Sequence, residues 1–311
     1  MIEHGAEGFV ARSEAVPALA ADVGIADHLI DQLVQRSFSF DDGQLIALAP
    51  GEAGRLLGFQ VESSELGRGI RSFRRGMAEL AERIAEQLPN RAKLQLSAPV
   101  TAVTPRADGV SLALPHGEAR QFDAAVIATT ARSAAALLAH AFGEPAHALA
   151  SATLSSSVTV SVAYRANQVQ HALDGTGLIV SKPEELAGLR AVTFVSSKLP
   201  HRAPEGSVLF RCFFRPSREE LAQLPDAEWC ARAEHALARI LPISGSAEGA
   251  WVSRWKDALP VFDDAHRARV ATLETALTPR KIWLAGSAFH GSGIDAAIRS
   301  AERTAAALAN A

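Results

Sequence analysis

Gly291-Ser292-Gly293-Ile294-Asp295-Ala296 spells G-x-G-x-x-A, the glycine spacing of a dinucleotide-binding turn. The chemistry of such a turn belongs to the backbone. A helix start offers N–H groups without intrahelical partners and the positive end of the peptide dipole. Glycines there let a pyrophosphate or a flat ring reach the main chain. A strand and a helix must position it: "KIWLAG" reads as a buried strand and "DAAIRSAERTAAALAN" as a helix. In a first dinucleotide-binding βαβ unit the strand runs straight into the glycines, and a second strand follows with an acidic residue at its end. Here "SAFH" intervenes and only helix follows. Two readings stand: a strand-to-helix turn without a ligand, and a turn that closes a cofactor site opened elsewhere.

Other chemistry-bearing residues are sparse. Cys212 and Cys230 are the only cysteines, and their spacing fits no metal or redox motif, so both read as free thiols in a reducing compartment. No metal site is expected. Arg71, Arg74 and Arg75 form the densest basic cluster and read as a solvated face. His266 and His290 are candidate polar groups near a site, with structural roles as the plainer reading. No nucleophile or acid–base pair stands out. The 311 residues are 48% hydrophobic and 21% charged with a net charge of −3, which fits a globular protein of one large or two ordinary domains. No basic block asks for nucleic acid. The first residues lack a basic region followed by an apolar run, so no signal peptide is expected. The most apolar stretch, residues 124–142, is broken by Arg132 and His140 and is no membrane span.

The pattern along the chain gives the elements. "RSFSFDDGQLIAL" is two alternating runs around Asp42-Gly43, a hairpin signal. "RRGMAELAERIAEQLPN" is the clearest helix: Met77, Leu80, Ala81, Ile84 and Leu88 share a face, Glu79 and Glu82 fall on the solvent side, and Pro89-Asn90 stop it. Residues 93–129 read as strands with turns at Asp108-Gly109 and His116-Gly117, the first strand at "KLQL" and the last, "AAVIAT", buried. A helix is expected over 133–140. Residues 156–214 are strand-rich; "PSREELAQL" and "DAEWCARAEHALARIL" read as helices. "EGAWVSRWKDALPVF" reads as strand then loop, and "DDAHRARVATLETAL" as a helix. The order is α/β with a mixed-sheet insertion rather than a simple alternation.

At this point several segments together resemble a known family. "LAGSAFHGSGIDAAIRSAERTAAAL" resembles the C-terminal flavin-binding segment of the FAD-dependent protoporphyrinogen and coproporphyrinogen oxidases of haem synthesis, relatives of the amine oxidases and phytoene desaturases. "IEHGAEGFVARSEAVPALAADVGIADHLI" resembles their Gly-x-x-Gly loop and following helix, and "IRSFRRGMAELAERIAEQL" their Phe-x-x-Gly-Met helix. "APVTAVTPRADGVSLALPHGEARQFDAAVIATTARSAAALL" resembles the meander and return strand on the adenosine side. "GLIVSKPEELAGLRAVTFVSSKLPHRAPEGSVLFRCFF" and "VSRWKDALPVF" resemble the substrate sheet and the Trp-x-x-Ala-Leu-Pro segment. They run in family order along nearly the whole chain.

The resemblance implies an α/β fold: an incomplete FAD-binding, Rossmann-like domain of the amine-oxidase or porphyrinogen-oxidase type, with a mixed β-sheet substrate domain. It allots residues 1–35, 68–150 and 276–311 to the FAD-binding part, and 36–67 and 151–275 to the substrate part. It implies FAD as cofactor. Gly5, Ala6, Glu7 and Gly8 would form a loop at the flavin, Val100 would meet the adenine through its backbone, and Trp255 would lie near the isoalloxazine. Gly286, Ser287, Ser292, Gly293 and Ile294 would set backbone groups at the pyrimidine side and ribityl chain. The implied reaction is oxidation of a porphyrinogen to a porphyrin, hydride passing to flavin N5 and oxygen reoxidising the flavin. Catalytic side chains stay unassigned, since the cofactor carries the chemistry.

The sequence also departs from the family. The N-terminal strand with its G-x-G-x-x-G and the acidic ribose-binding strand are not in this chain, and residues 51–70 stand where a large helical substrate region is expected. Residues 293–298 read GIDAAI where the family has Gly-Ile-Pro-Asp-Cys-Ile. "AAVIAT" and "KIWLAG" would then need covering at their edges. Two alternatives follow: a non-catalytic homologue or subunit whose partner supplies the missing half, and another FAD enzyme acting on amines or polyenes. The expected partners are a porphyrinogen and molecular oxygen, with a homo-oligomer or a partner chain left open. The expected location is the cytoplasm, with contact at the inner face of the membrane open but not indicated.

Overall fold

A computed structural model describes residues 1–10, 13–57, 69–88 and 92–311. The chain forms two compact units: residues Met1–Glu86 with Ser156–Lys256, and residues Gln87–Ser155 with Asp257–Ala311. These boundaries group the 5–8 loop with the strand-rich middle of the chain. The allotment of flavin and substrate parts is a separate matter and stays a proposal.

The first unit is built on a seven-stranded sheet in the order Gly249–Pro260, Leu154–Arg165, Ser207–Phe214, Leu189–Phe194, Gly177–Val180, Phe38–Asp41, Gln44–Ala47. Strand Gly177–Val180 pairs with Phe38–Asp41 in parallel, which makes the sheet mixed. The hairpin expected at Asp42-Gly43 is present, both residues having positive φ, as a two-residue turn of this twist requires. Strand alternation sets the core. Val158, Val160 and Val162 share a face with Phe210, Cys212 and Phe214, and the helix Asp226–Ile240 covers it with Trp229, Ala233 and Leu237. The ring of Trp229 stands 5.4 Å from that of Phe214. Such large buried side chains each contribute roughly 1.5–3 kcal/mol over exposure. The alternate positions are polar but also buried: Thr159, Ser161 and Arg211 are all at 5% exposure or less.

A second, three-stranded sheet in this unit joins Phe9–Val10, Ile70–Phe73 and Leu29–Asp31, all antiparallel. The following helix, Ala78–Gln87, is where the hydrophobic period placed it. One expectation for it is corrected. Glu79 is buried at 3%, because its carboxylate receives the His28 ring at 2.7 Å and lies 3.8 Å from Arg75 Nε. Ala81, placed by period on the core face, is exposed. The stop at Pro89-Asn90 and most of the 51–70 segment lie outside the described residues.

The second unit holds a parallel pair, Ala125–Ile127 with Ile282–Leu284, and an antiparallel meander, Ala102–Pro105, Val110–Ala113 and Ala119–Phe122. Three helices belong to it: Ala131–Ala150, Asp264–Leu277 and Ile294–Ala309. Leu138, Leu149, Val270, Leu273 and Leu277 meet Ile127, Ile282 and Leu284 in one core. Three sequence expectations shift. The helix expected over 133–140 extends to Ala150, with a break in helical geometry at Gly143 ahead of Pro145. "KLQL" forms no strand; Leu94 and Leu96 are exposed and carry no ladder. The segment expected as strand then loop is strand throughout Gly249–Pro260. Among the described residues no helix is long and apolar enough to cross a membrane.

Candidate functional site

The 5–8 loop belongs to the first unit and is held from several sides. Gly8 faces strand Ile70–Phe73 so closely that a Cβ there would come within 2.5 Å of the Arg71 carbonyl, so glycine is needed for packing. The Ser72 hydroxyl donates to the Glu7 carbonyl at 2.8 Å. Lys198 Nζ donates to Glu7 Oε1 at 2.7 Å, with both side chains 8% exposed. Arg211 donates to the Gly5 carbonyl at 2.6 Å and lies over the Phe213 ring. Trp255 Nε1 donates to the His4 carbonyl at 2.7 Å, and its indole lies against Gly5, 3.4 Å from where a Cβ would stand. Thus Gly5 and Trp255, singled out separately in the sequence, are in contact. Ala6 is exposed, whereas the Glu7 side chain turns inward.

Arg202 fastens the same region. It is 1% exposed, donates to the Ser72 hydroxyl and the Phe73 carbonyl, and stands 3.6 Å from Glu3 Oε1. Glu3 in turn accepts from the Met77 N–H at 2.8 Å. Burial, the largest influence, pushes the pKa of Arg202 and Arg211 down, while Glu3 and Glu7 act in the opposite direction. Lys198, Arg202, Arg211 and Ser72 were not singled out from the sequence. One signal was available: Arg211 interrupts "VLFRCFF", an otherwise apolar strand whose alternation leaves it opposite Phe210 and Cys212.

The 286–293 turn lies in the second unit, between strand Ile282–Leu284 and helix Ile294–Ala309. The helix starts after Gly293, at φ 96°; its N-cap residue has no side chain to cap it, and Asp295 stands buried in its first turn. Gly286 also has positive φ, and a Cβ at Gly286 or Gly293 would meet nothing within 4 Å. The main chain is therefore bare on that side. Ser287, Ser292 and Gly293 are exposed, and Gly286 and Ile294 partly so. Behind the bare face the turn is pinned by hydrogen bonds to its main chain. Thr304 donates to the Leu284 carbonyl and Ser300 accepts from the Gly286 N–H, both at 3.1 Å. His266, fully buried, meets the Ala288 carbonyl at 3.1 Å. A carbonyl only accepts, so His266 carries its proton on Nε2. His290 meets Glu274 at 2.8 Å. Both histidines thus contact the turn or its neighbouring helix.

Val100 lines a groove of about 640 Å³ in the second unit, with Val103, Leu112, Phe122, Val126 and Ser133 among its walls. The groove is mostly apolar and open to solvent. The parallel pair beside it is two strands wide among the described residues, and Val126 and Phe122 are exposed. Cys212 is buried, Cys230 partly buried, and both are free thiols; burial pushes the Cys212 thiol far up, so it stays protonated. No cluster of metal-ligating side chains occurs among the described residues.

Comparison with known proteins adds the following. The family model of flavin containing amine oxidoreductases matches residues 8–309. A coproporphyrinogen III oxidase of Bacillus subtilis is 27% identical over 241 residues, 76% of this chain and 50% of that protein. One of Propionibacterium freudenreichii is 30% identical over 238 residues, 76% of this chain and 44% of that protein. The chain thus spans about half the length of the curated relatives it matches. The crystal structure of a protein assigned as a protoporphyrinogen oxidase, from Exiguobacterium sp. 255-15, superposes with a TM-score of 0.81 at 19% identity, covering 99% of this chain and 87% of that one. At that identity the likeness speaks for the fold, which is of the flavin amine oxidase type.

Proposed function

The chain belongs to the flavin containing amine oxidoreductase family, and from that premise we propose that it binds FAD and takes part in oxidising a porphyrinogen to a porphyrin. The substrate class rests on the coproporphyrinogen III oxidases that align with three quarters of this chain. The observation that carries the cofactor reading is the start of helix Ile294–Ala309 behind bare backbone at Gly286 and Gly293. A cofactor ring or ribityl chain can lie against that backbone without displacing any side chain.

The proposed contacts divide by unit. Gly5, Ala6, Glu7 and Gly8 offer backbone groups from one loop, with Trp255 as a flat apolar neighbour of Gly5. Gly286, Ser287, Ser292, Gly293 and Ile294 offer backbone and hydroxyl groups from the turn. Val100 offers its backbone in an apolar groove of a size that accepts an adenine ring. Bound there, the flavin supplies a two-electron acceptor, with oxygen as the proposed final oxidant. The chain's own residues hold the backbone offered to it: hydrogen bonds fix the loop within the first unit and the turn within the second. No acid or base is assigned.

A second reading is a homologue or subunit that binds a partner chain instead of catalysing alone. The two-strand width of the parallel pair and the exposed Val126 favour it. One experiment separates the two. The purified chain is mixed with FAD, its visible spectrum is recorded after removal of free flavin, and porphyrin fluorescence is followed after adding coproporphyrinogen. The expected outcome is retained flavin and growing fluorescence. Retained flavin without fluorescence favours the second reading, and loss of all flavin sinks cofactor binding by this chain alone.

A further inference from the structure

Beneath the 5–8 loop lies a charge imbalance that packing alone does not call for. Three cations are buried there, Lys198, Arg202 and Arg211, exposed at 6%, 1% and 4%. Two carboxylates answer them. Glu7 pairs with Lys198, and Glu3 stands beside Arg202. The same two carboxylates are the charges that act on both arginines. The Nε atoms of Arg202 and Arg211, and Oε2 of Glu7 among them, are buried with no hydrogen-bond partner, so the cluster's charges are incompletely answered on both sides. A buried positive excess is unfavourable unless a further negative charge comes within range.

The loop transmits that excess. Arg211 holds the Gly5 carbonyl and Lys198 the Glu7 carboxylate, each one hydrogen bond from a proposed contact residue, and Arg202 reaches the Glu7 carbonyl through the Ser72 hydroxyl. Trp255 holds the adjacent His4 carbonyl. Charge near a flavin ring tunes its electronics, because two electrons and one proton added to the neutral ring leave one negative charge. Resting on the reading of this loop as a flavin contact, we propose that Lys198, Arg202 and Arg211 make the loop hold reduced flavin more tightly than oxidised flavin. They are positioning residues that act through the loop and touch no reacting atom. The electrons come from the substrate, or from dithionite in the test.

A charge effect differs from a merely structural one in sign. Lys198→Met removes a buried cation and Glu7→Gln removes a buried anion, so their effects on a charged ligand are opposite. Loosening of the loop would move both in the same direction. The purified full chain and its variants are loaded with FAD, and the midpoint potential of bound FAD is read against a reference dye during dithionite reduction. Lys198→Met is expected to lose about tenfold of the preference for reduced FAD, a fall of about 30 mV. Glu7→Gln is expected to shift it upward by a similar amount. The double variant Glu7→Gln/Lys198→Met preserves net charge and is expected to return near the wild-type value. If Lys198→Met does not fold, Glu7→Gln and the double variant still decide the sign. Potentials that stay fixed, or that shift in one direction for both single variants, overturn the proposal. A wild-type chain that retains no FAD overturns the functional reading and this inference with it. Retained FAD with unmoved potentials overturns the inference alone.

Discussion

The 5–8 loop and the 286–293 turn are both short, glycine-bearing and proposed for the same ligand, yet they are fastened by different forces. Lys198 and Arg211 hold the loop with buried charge, and Arg202 backs it through the Ser72 hydroxyl. Thr304, Ser300 and His266 hold the turn with hydrogen bonds to the main chain of residues 284–288. Neutral bonds inside a protein are each worth about 1 kcal/mol net, and losing one leaves a modest deficit. A buried ion pair gains little over a well-packed apolar pair, but breaking one partner strands a charge. The loop should therefore fail abruptly and the turn gradually. A segment fastened by buried cations carries their field, whereas the pairs that flank the turn, Asp295 with Arg299 at 2.9 Å and His290 with Glu274 at 2.8 Å, each set a carboxylate against a basic group.

The sharpest way to break this contrast is Lys198→Met. It takes from Glu7 the cation that hydrogen-bonds it, leaving Arg202 and Arg211 beyond hydrogen-bond reach to offset that buried carboxylate, and is expected to destabilise the chain by about 3–5 kcal/mol in urea denaturation. Pairing it with Glu7→Gln should restore most of the loss, because the stranded charge is gone. If the double variant is no more stable than the single, charge is not what fastens the loop.

On the other side of the comparison, His266→Ala removes one partner of the Ala288 carbonyl and opens space around a fully buried ring. Its expected cost is about 1–3 kcal/mol. Ser300→Ala or Thr304→Ala should cost about 0.5–1.5 kcal/mol each by the same measurement. A loss at His266 equal to that of Lys198→Met would erase the distinction between the two fastenings.

The smallest effect calibrates the other two. Glu220 and Arg232 form a partly exposed pair at 2.8 Å, in which Glu220 also closes a capping box with Ser217. The Arg232 guanidinium, then the Ser217 N–H, hold the Glu220 carboxyl below its ordinary range. A depressed carboxyl contributes stability above its unfolded pKa and loses it as pH falls through the folded one. Glu220→Gln should therefore flatten the acid limb of the stability profile slightly, with an effect that shrinks in high salt. Equal pH sensitivity in Glu220→Gln and wild type would show the pair to be inert.

Much of the fold was legible because it follows local rules. The Asp42-Gly43 hairpin, the strands from Leu154–Arg165 to Ser207–Phe214 and the helix Ile294–Ala309 each announce themselves by period and turn residues. The parallel pairing of "AAVIAT" with "KIWLAG" was anticipated only as a need for cover, and the structure answers part of that need by joining the two. The misreadings share a cause. Glu79 was placed in solvent because a carboxylate on a helix usually is, and nothing in its helix reveals that His28, 51 positions away, meets it. "KLQL" has strand composition but finds no ladder partner. The candidate site was half legible in the same sense. Glycines at 5, 8, 286, 291 and 293 mark places where backbone is left bare or pressed close, while the cations behind the loop carry no such mark.

By itself the sequence determined the order and type of most elements, the glycine positions and the family likeness, since these depend on neighbours within a few residues. Only the tertiary structure decided that Lys198 and Arg211 lie behind the 5–8 loop, that Trp255 rests on Gly5, and that His266 holds the Ala288 carbonyl. Those contacts join residues far apart in the chain, and no local propensity encodes which distant partner will answer a buried charge or a bare carbonyl.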